Sequence, residues 1–453
     1  MRLLLPELLI FSTALAVLIY DFVKIIYSRA VLFWLAIIGL LLALIAIISS
    51  GFYPAVFFSG FYVVDPLSLV FKGLFILIGL AVIIMNYDYF SLRVKRNEGE
   101  FYFLLLISIL GLILAVSSPN LLLIYLGIEL VGLTSYLLAG WQKIEPRSGE
   151  AALKYFLFGA VASALFLYGI SLFYGLTGSF SLTNLFSAGL AQPLGFLAIL
   201  FIFLGLGFKI AMAPLQFWCP DVYEGAPTSI TAYLSVGPKA AGFAVLLRYL
   251  GLLQFDLSIL IAVLSALTMT WGNIVAWRQT NIKRLLAYSS IAQAGYIMIG
   301  LLAAKLGAVP IIFYLLAYTF ANLGVFAIVI YLSNTLGSEE IGDYSGLAQR
   351  APFIAAAFSL FLLSLIGIPP TAGFVGKFLL FGVALGTNYF WLAVMAVINS
   401  VISVFYYLNV VRVMYFVKGD LSPLKSSGLL WFLVSLCLFA TLLLGVFPNL
   451  ILR

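Results

Sequence analysis

Histidine is absent from the 453 residues, and charged side chains make up only 9% of them. Without histidine the chain lacks the commonest metal ligand and the side chain that usually exchanges protons near neutral pH. Any proton traffic must therefore use lysine, glutamate, hydroxyls and water. Cysteine is almost missing: Cys219 and Cys437 stand far apart in different apolar runs and cannot make a metal site by themselves. Long polar stretches are scarce as well. The longest before the middle runs from Asn86 to Glu100 and the longest after it from Ser333 to Arg350, so no nucleotide- or flavin-binding domain is inserted.

What the chain has instead is apolar bulk, 64% of its residues, with a mean hydropathy of +1.20. Runs of about twenty apolar residues recur from end to end, which predicts an all-α polytopic membrane protein. A β-barrel would show alternating segments of about ten residues, and none are seen. Fourteen spans are expected, at 3–23, 31–50, 65–86, 101–117, 120–140, 153–177, 193–218, 228–250, 258–277, 283–304, 309–333, 352–385, 388–415 and 428–449. The first is too long for a signal-peptide core, has no small-residue cleavage pattern after it, and reads as a retained span.

The seventh and twelfth spans exceed the roughly twenty residues a straight helix needs, and they contain Pro214 and Pro369-Pro370. Both are expected to be broken helices, because proline removes a backbone donor and frees carbonyls. They stand five spans apart, as an inverted five-helix repeat would place them. The expected organisation is an N-terminal three-helix segment over 1–100, repeats over 101–250 and 251–415, and a C-terminal helix over 416–453.

Thirteen lysines and arginines fall in the odd-numbered connections and two, Arg248 and Lys305, in the even ones. By the positive-inside rule both termini face outward, and the net charge of +7 reflects this anchoring and gives no sign of nucleic-acid binding. Of the basic residues inside spans, Lys72, Lys154 and Arg412 lie close enough to a span end to reach the headgroups. Lys209, Lys239 and Lys377 do not. Lys209 and Lys239 flank the hairpin from Asp221 to Pro227 at a distance of roughly 18 Å of helix, close to mid-bilayer. Among sixteen acids only Glu129 is expected to lie deep, about 14 Å from Asn120. Charges at such depth are expensive and usually functional. The competing bland readings are a structural ion pair at Glu129, helix-breaking constraints at Lys239, and helix capping at Asp221 and Glu224. The abundant Phe and Tyr read as lipid-facing and interfacial bulk.

A buried lysine is a useful proton carrier. Burial disfavours its charged form and a nearby carboxylate favours it, so a lysine whose distance to a glutamate changes can load and release a proton. Moving one charge through 100 mV costs about 2.3 kcal/mol, and one pKa unit is worth about 1.4 kcal/mol, so a shift of two or three units suffices. Ser289, Ser290 and Gln293, with Thr134 and Ser135, are further polar residues that could extend a path.

Four segments, KIAMAPLQFWCPDVYEGAPTSITAYLSVGPKAAGF, RQTNIKRLLAYSSIAQAGYIMIG, EAALKYFLFGA and LIGIPPTAGFVGKF, resemble the antiporter-like N-type subunits of proton-pumping NADH:quinone oxidoreductase, respiratory complex I, and of its photosynthetic counterpart. The likeness extends over nearly the whole chain. It implies a membrane-arm subunit with fourteen helices, two inverted repeats and broken seventh and twelfth helices. It also implies that Glu129, Lys209, Lys239 and Lys377 are the proton-translocating positions. It further implies no metal and no redox cofactor in this chain, quinone and NADH or another donor used by the whole complex, and further antiporter-like subunits as neighbours in the bilayer. The expected location is an energy-coupling membrane, the bacterial plasma membrane first and the thylakoid second. Two positions depart from the family, which commonly carries histidine where this chain has Gln216 and Gln293. The rival expectation is a cation/proton antiporter subunit without redox coupling, recognisable by Na⁺ or K⁺ exchange.

Overall fold

A computed structural model describes residues 2–23, 28–51, 54–93, 98–186, 193–252, 256–419, 424 and 427–452. Lys24, the basic loop residues 94–97 and Lys425, used above for orientation, lie outside the described residues. The order of elements is α1 (Leu5–Val23), α2 (Arg29–Ser50), β1 (Ala55–Phe57), β2 (Tyr62–Val64), α3 (Pro66–Arg93), α4 (Glu98–Val116), α5 (Leu121–Ala139), α6 (Pro146–Thr177), α7 (Pro193–Lys209), α8 (Trp218–Gly225) and α9 (Thr228–Leu250). The chain continues with α10 (Ser258–Ala276), α11 (Ile282–Ile299), α12 (Ala304–Leu336), α13 (Leu347–Arg350), α14 (Pro352–Ile366), α15 (Ala372–Gly386), α16 (Phe390–Phe416), α17 (Gly428–Val446) and α18 (Asn449–Leu452). Among the described residues, 12 helices are long and apolar enough to cross a membrane, and α7, α14 and α15 are shorter apolar helices. This is the all-α polytopic architecture read from the sequence. The only sheet among them is the antiparallel hairpin of β1 and β2, with Val56 opposite Val63.

The chain divides into two compact units. Residues 1–83, 93–210 and 225–256 form one; 84–92, 211–224 and 257–453 form the other. In the first, α4 packs along α5 and α1, and α6 along α7; in the second, α10 packs along α11, and α12 along α15 and α17.

The two units use the same local devices. Asn120 starts α5 by accepting from the N–H groups of Leu122 and Leu123, and Asn281 starts α11 by accepting from those of Lys283 and Arg284, which satisfies donors a helix start leaves open. The helices that follow, α6 and α12, both end on a left-handed glycine, Gly178 (φ 67°) and Gly337 (φ 72°). Each connection then returns to pair with its asparagine, in the isolated bridges Asn120 with Ser181 and Asn281 with Glu340. Close approach of helix backbones recurs too. A Cβ at Gly127 would meet Ala115 of α4, and one at Gly295 would meet Met269 of α10, so small residues set the spacing in both pairs.

The expected breaks are present. The segment expected as the seventh span is split into α7 and α8 at 210–217, and that expected as the twelfth into α14 and α15 at 367–371. Each gap holds a cis X-Pro bond, Ala213-Pro214 and Pro369-Pro370. By contrast α9 runs through Pro238 without a break.

Candidate proton-handling site

Each break delivers a helix C-terminus, and each C-terminus holds an ammonium group. The last carbonyls of a helix have no intrahelical donor and carry partial negative charge, so a cation is favoured there. Lys209 is itself the last residue of α7, after which the chain turns through Ala211 at φ 58°. Lys377 reaches such an end through space. From α15 its Nζ donates to the carbonyl of Ile366, the last residue of α14, at 2.9 Å, and to Ser400 Oγ at 3.3 Å. It also lies 4.2 Å from the Tyr296 ring centroid, well placed for a cation–π contact. Gly367 makes this geometry accessible: its φ of 93° suits glycine, and a Cβ would stand 3.0 Å from Lys377 Cδ.

The surroundings of Lys209 differ. Its side chain is buried, and its Nζ has no hydrogen-bond partner among the described residues. Ring centroids of Phe208 and Tyr136 lie 5.6 and 5.9 Å from it. Gly132 leaves room for the head group, since a Cβ there would stand 3.1 Å from Nζ. Beside the lysine is a cavity of about 10 Å³, lined also by Leu112, Ala115, Ile128, Val131, Pro238, Ala241 and Gly242. That is about the room one water molecule needs.

Glu129, on α5, belongs to the same unit. Its carboxylate accepts the Ser163 hydroxyl, and its charge acts on Lys209, Tyr125 and Tyr136 without closing an ion pair on the lysine. It is half-buried, less enclosed than its place in the span suggested. Lys239 is buried in α9, next to Pro238 at the cavity wall. The structure therefore brings Glu129, Lys209 and Lys239 into one unit and puts Lys377 in the other.

The second unit also holds a network of neutral polar groups, which meets Lys377 at Tyr296. Gln293 donates to the Leu365 carbonyl at 2.9 Å and accepts from the Tyr314 hydroxyl. Ser290 accepts from Tyr318 at 2.9 Å, and Ser289 bonds Tyr407. Asn273 donates to Tyr296 and to Asn399, both at 3.1 Å, and accepts from Tyr406 at 3.0 Å. No carboxylate among the described residues forms an ion pair with Lys377. Gln216, also in this unit, is buried with its Oε1 unsatisfied.

Three expectations are corrected. Lys72 does not reach the headgroups: it is fully buried and pairs with Glu7 at 2.7 Å. Glu7 near one end of its span and Lys72 near one end of a parallel span was the signal that could have joined them. Asp221 and Glu224 do not cap helix starts, since both sit within α8 and share Arg284 at 2.8 Å each. Many tyrosines are not interfacial bulk: eleven of the twelve largest fully buried side chains are tyrosines, while Tyr168, Tyr174 and Tyr415 are exposed. Just ahead of α3, Asp65 pairs with Arg248 of α9 at 2.9 Å. Burial favours protonated Asp65, but the guanidinium and the Ser68 N–H outweigh it and hold the carboxyl below its ordinary range.

A family model described as NADH:quinone oxidoreductase/Mrp antiporter, transmembrane, matches residues 118–403. NADH-quinone oxidoreductase subunit N of Desulfitobacterium hafniense is 41% identical over 453 residues, covering 93% of this chain and 90% of that one. NAD(P)H-quinone oxidoreductase subunit 2 of Nostoc sp. is 42% identical, covering 91% and 81%. Among solved structures, a chain of respiratory complex I from Thermus thermophilus superposes with a TM-score of 0.87 at 36% identity, covering 99% of this chain and 98% of that one. A chain of the Mrp complex from Dietzia sp. shares the fold, with a TM-score of 0.84 at 21% identity over 100% of this chain and 95% of that one.

Proposed function

The chain belongs to the NADH:quinone oxidoreductase/Mrp antiporter family of membrane proteins, and on that premise we propose that it is a proton-translocating membrane-arm subunit of a quinone oxidoreductase. In this reading the complex uses quinone and NADH or another donor elsewhere, and this chain moves protons without redox chemistry of its own. Its neighbours are other membrane-arm subunits, further antiporter-like ones included. Its place is a bacterial plasma membrane or a thylakoid, with both termini outward. Counting each broken helix as one crossing, beside the 12 helices long and apolar enough to cross, supports fourteen spans. The matched asparagine caps, left-handed glycines and bridges support five-helix repeats over 101–250 and 251–415.

The observation that carries the proposal is Lys209: a buried ammonium at a helix C-terminus, with room for about one water beside it and a carboxylate acting on it from α5. Glu129 is the carboxylate whose charge reaches this amine. Any movement that changes the Glu129–Lys209 distance then loads or unloads the amine. Lys239 is the next acceptor in that unit, and Lys377 is the carrier of the second. Reconstituted complexes carrying Lys209→Ala or Lys377→Ala, assayed for protons moved per quinone reduced, provide the test. Both are expected to assemble and to move fewer protons; wild-type proton yield in both would defeat the proposal, and Na⁺ or K⁺ exchange in its place would favour the antiporter reading.

A further inference from the structure

The first unit contains a second buried titratable cluster that this path does not use. Glu7, in the first turn of α1, pairs with Lys72 of α3 at 2.7 Å. Tyr62 of β2 donates its hydroxyl to Glu7, and its ring centroid lies 5.0 Å from Lys72 Nζ. The hairpin that carries Tyr62 is fastened down. Val63 donates its N–H to the Ser117 carbonyl at 2.7 Å, Ser118 Oγ donates to the Phe61 carbonyl at 3.0 Å, and Asp65 is clamped by Arg248. The side chain of Lys72 is 0% exposed and that of Glu7 is 11% exposed, with Glu7 Oε2 buried and without a hydrogen-bond partner among the described residues, so the base is sealed and the acid is the outer member of the pair.

We propose that Glu7 and Lys72, oriented by Tyr62, form a proton-exchange port of the first unit. The proton on Lys72 Nζ passes to a Glu7 carboxylate oxygen, leaving a neutral amine and a neutral acid. Glu7 then releases it to water at the end of the bundle where α1 begins, and a proton arriving at Lys72 from the interior restores the pair. Tyr62 orients the carboxylate and keeps its own proton, because burial, and then the Glu7 charge, hold its phenol well above the ordinary value. The next charged groups along the hairpin, Asp65 and Arg248, are paired with each other.

The inference rests on the proton-translocation reading, so Glu129→Gln is measured beside it. Lys72→Arg keeps the positive charge but does not release a proton, whereas a purely structural pair tolerates it. The expected result in the reconstituted complex is a loss of protons per quinone as large as that of Glu129→Gln, with quinone reduction retained. The doubly neutral Glu7→Gln/Lys72→Met, which leaves no unpaired charge, is expected to show the same loss. Wild-type proton yield in either variant overturns the port while Glu129→Gln remains deficient, and loss of assembly in both variants overturns it in favour of a structural clamp. Wild-type yield in Glu129→Gln itself strikes instead at the reading beneath it.

Discussion

Both units bury a lysine ammonium at the end of a broken helix, yet they hold it differently. Lys377 is fixed by a carbonyl, a hydroxyl and an aromatic face. Lys209 has no hydrogen bond from the described residues and relies on a helix end and the field of Glu129. Hydrogen bonds vanish within a fraction of an ångström, whereas a Coulomb interaction falls off gradually with distance. The Lys209 arrangement is tunable and the Lys377 one is a fixed seat. In the second unit the polar groups are amides, serine hydroxyls and phenols, which pass a proton only through donors and acceptors already aligned.

The sharpest way to break this contrast is Lys209→Arg. The guanidinium keeps the charge and does not release its proton, so proton translocation measured by vesicle acidification is expected to fall to the level of Lys209→Ala. Wild-type acidification would remove Lys209 from the path.

Next comes stability. Lys377→Met leaves the Ile366 carbonyl buried without its donor, which costs about 1–3 kcal/mol, so the melting temperature of the purified complex is expected to drop. Lys209→Met gives up no hydrogen bond and removes a buried charge; its melting temperature is expected to stay level or rise. Equal losses would erase the distinction between the two seats.

A paired glycine test is finer. Gly367→Ala forces a Cβ into a left-handed position, at a cost of roughly 1–2 kcal/mol, and is expected to lower stability. Gly132→Ala crowds two side-chain ends, the Lys209 head and the Tyr136 hydroxyl, each 3.1 Å from the added Cβ, so it is expected to slow proton transfer several-fold while lowering the melting temperature less than Gly367→Ala.

How far the sequence reveals these differences depends on the length scale of the signal. A lysine inside an apolar run and a proline inside an overlong one are local, so Lys209, Lys377 and both breaks can be read directly. Partners are not local. Ser163 joins Glu129 and Tyr407 joins Ser289 from other helices, and no spacing rule within one span announces them. Tyrosine misled for the same reason, because its amphipathic ring suits both an interface and a buried hydroxyl network. Depth counted along a helix also failed to give burial. Glu7, Asp21 and Glu98 are buried near span ends, while Glu129, counted deepest, is half-open.

The smallest expected effect concerns the Asp65–Arg248 clamp. Because the folded carboxyl lies below its unfolded value of about 3.9, its stabilisation is present above that pH and is lost as pH falls through the folded value. Melting curves of wild type and Asp65→Asn are therefore expected to differ most near neutral pH and to converge in strong acid. A gap that widens on acidification would reverse the sign.

The central claim is that Glu129 governs the proton affinity of Lys209 across the interior of the first unit. Its most direct test is the number of protons translocated per quinone reduced by an assembled complex carrying Glu129→Gln. The account predicts a fall to the value shown by Lys209→Ala; a Glu129→Gln complex that assembles and keeps the wild-type number contradicts it.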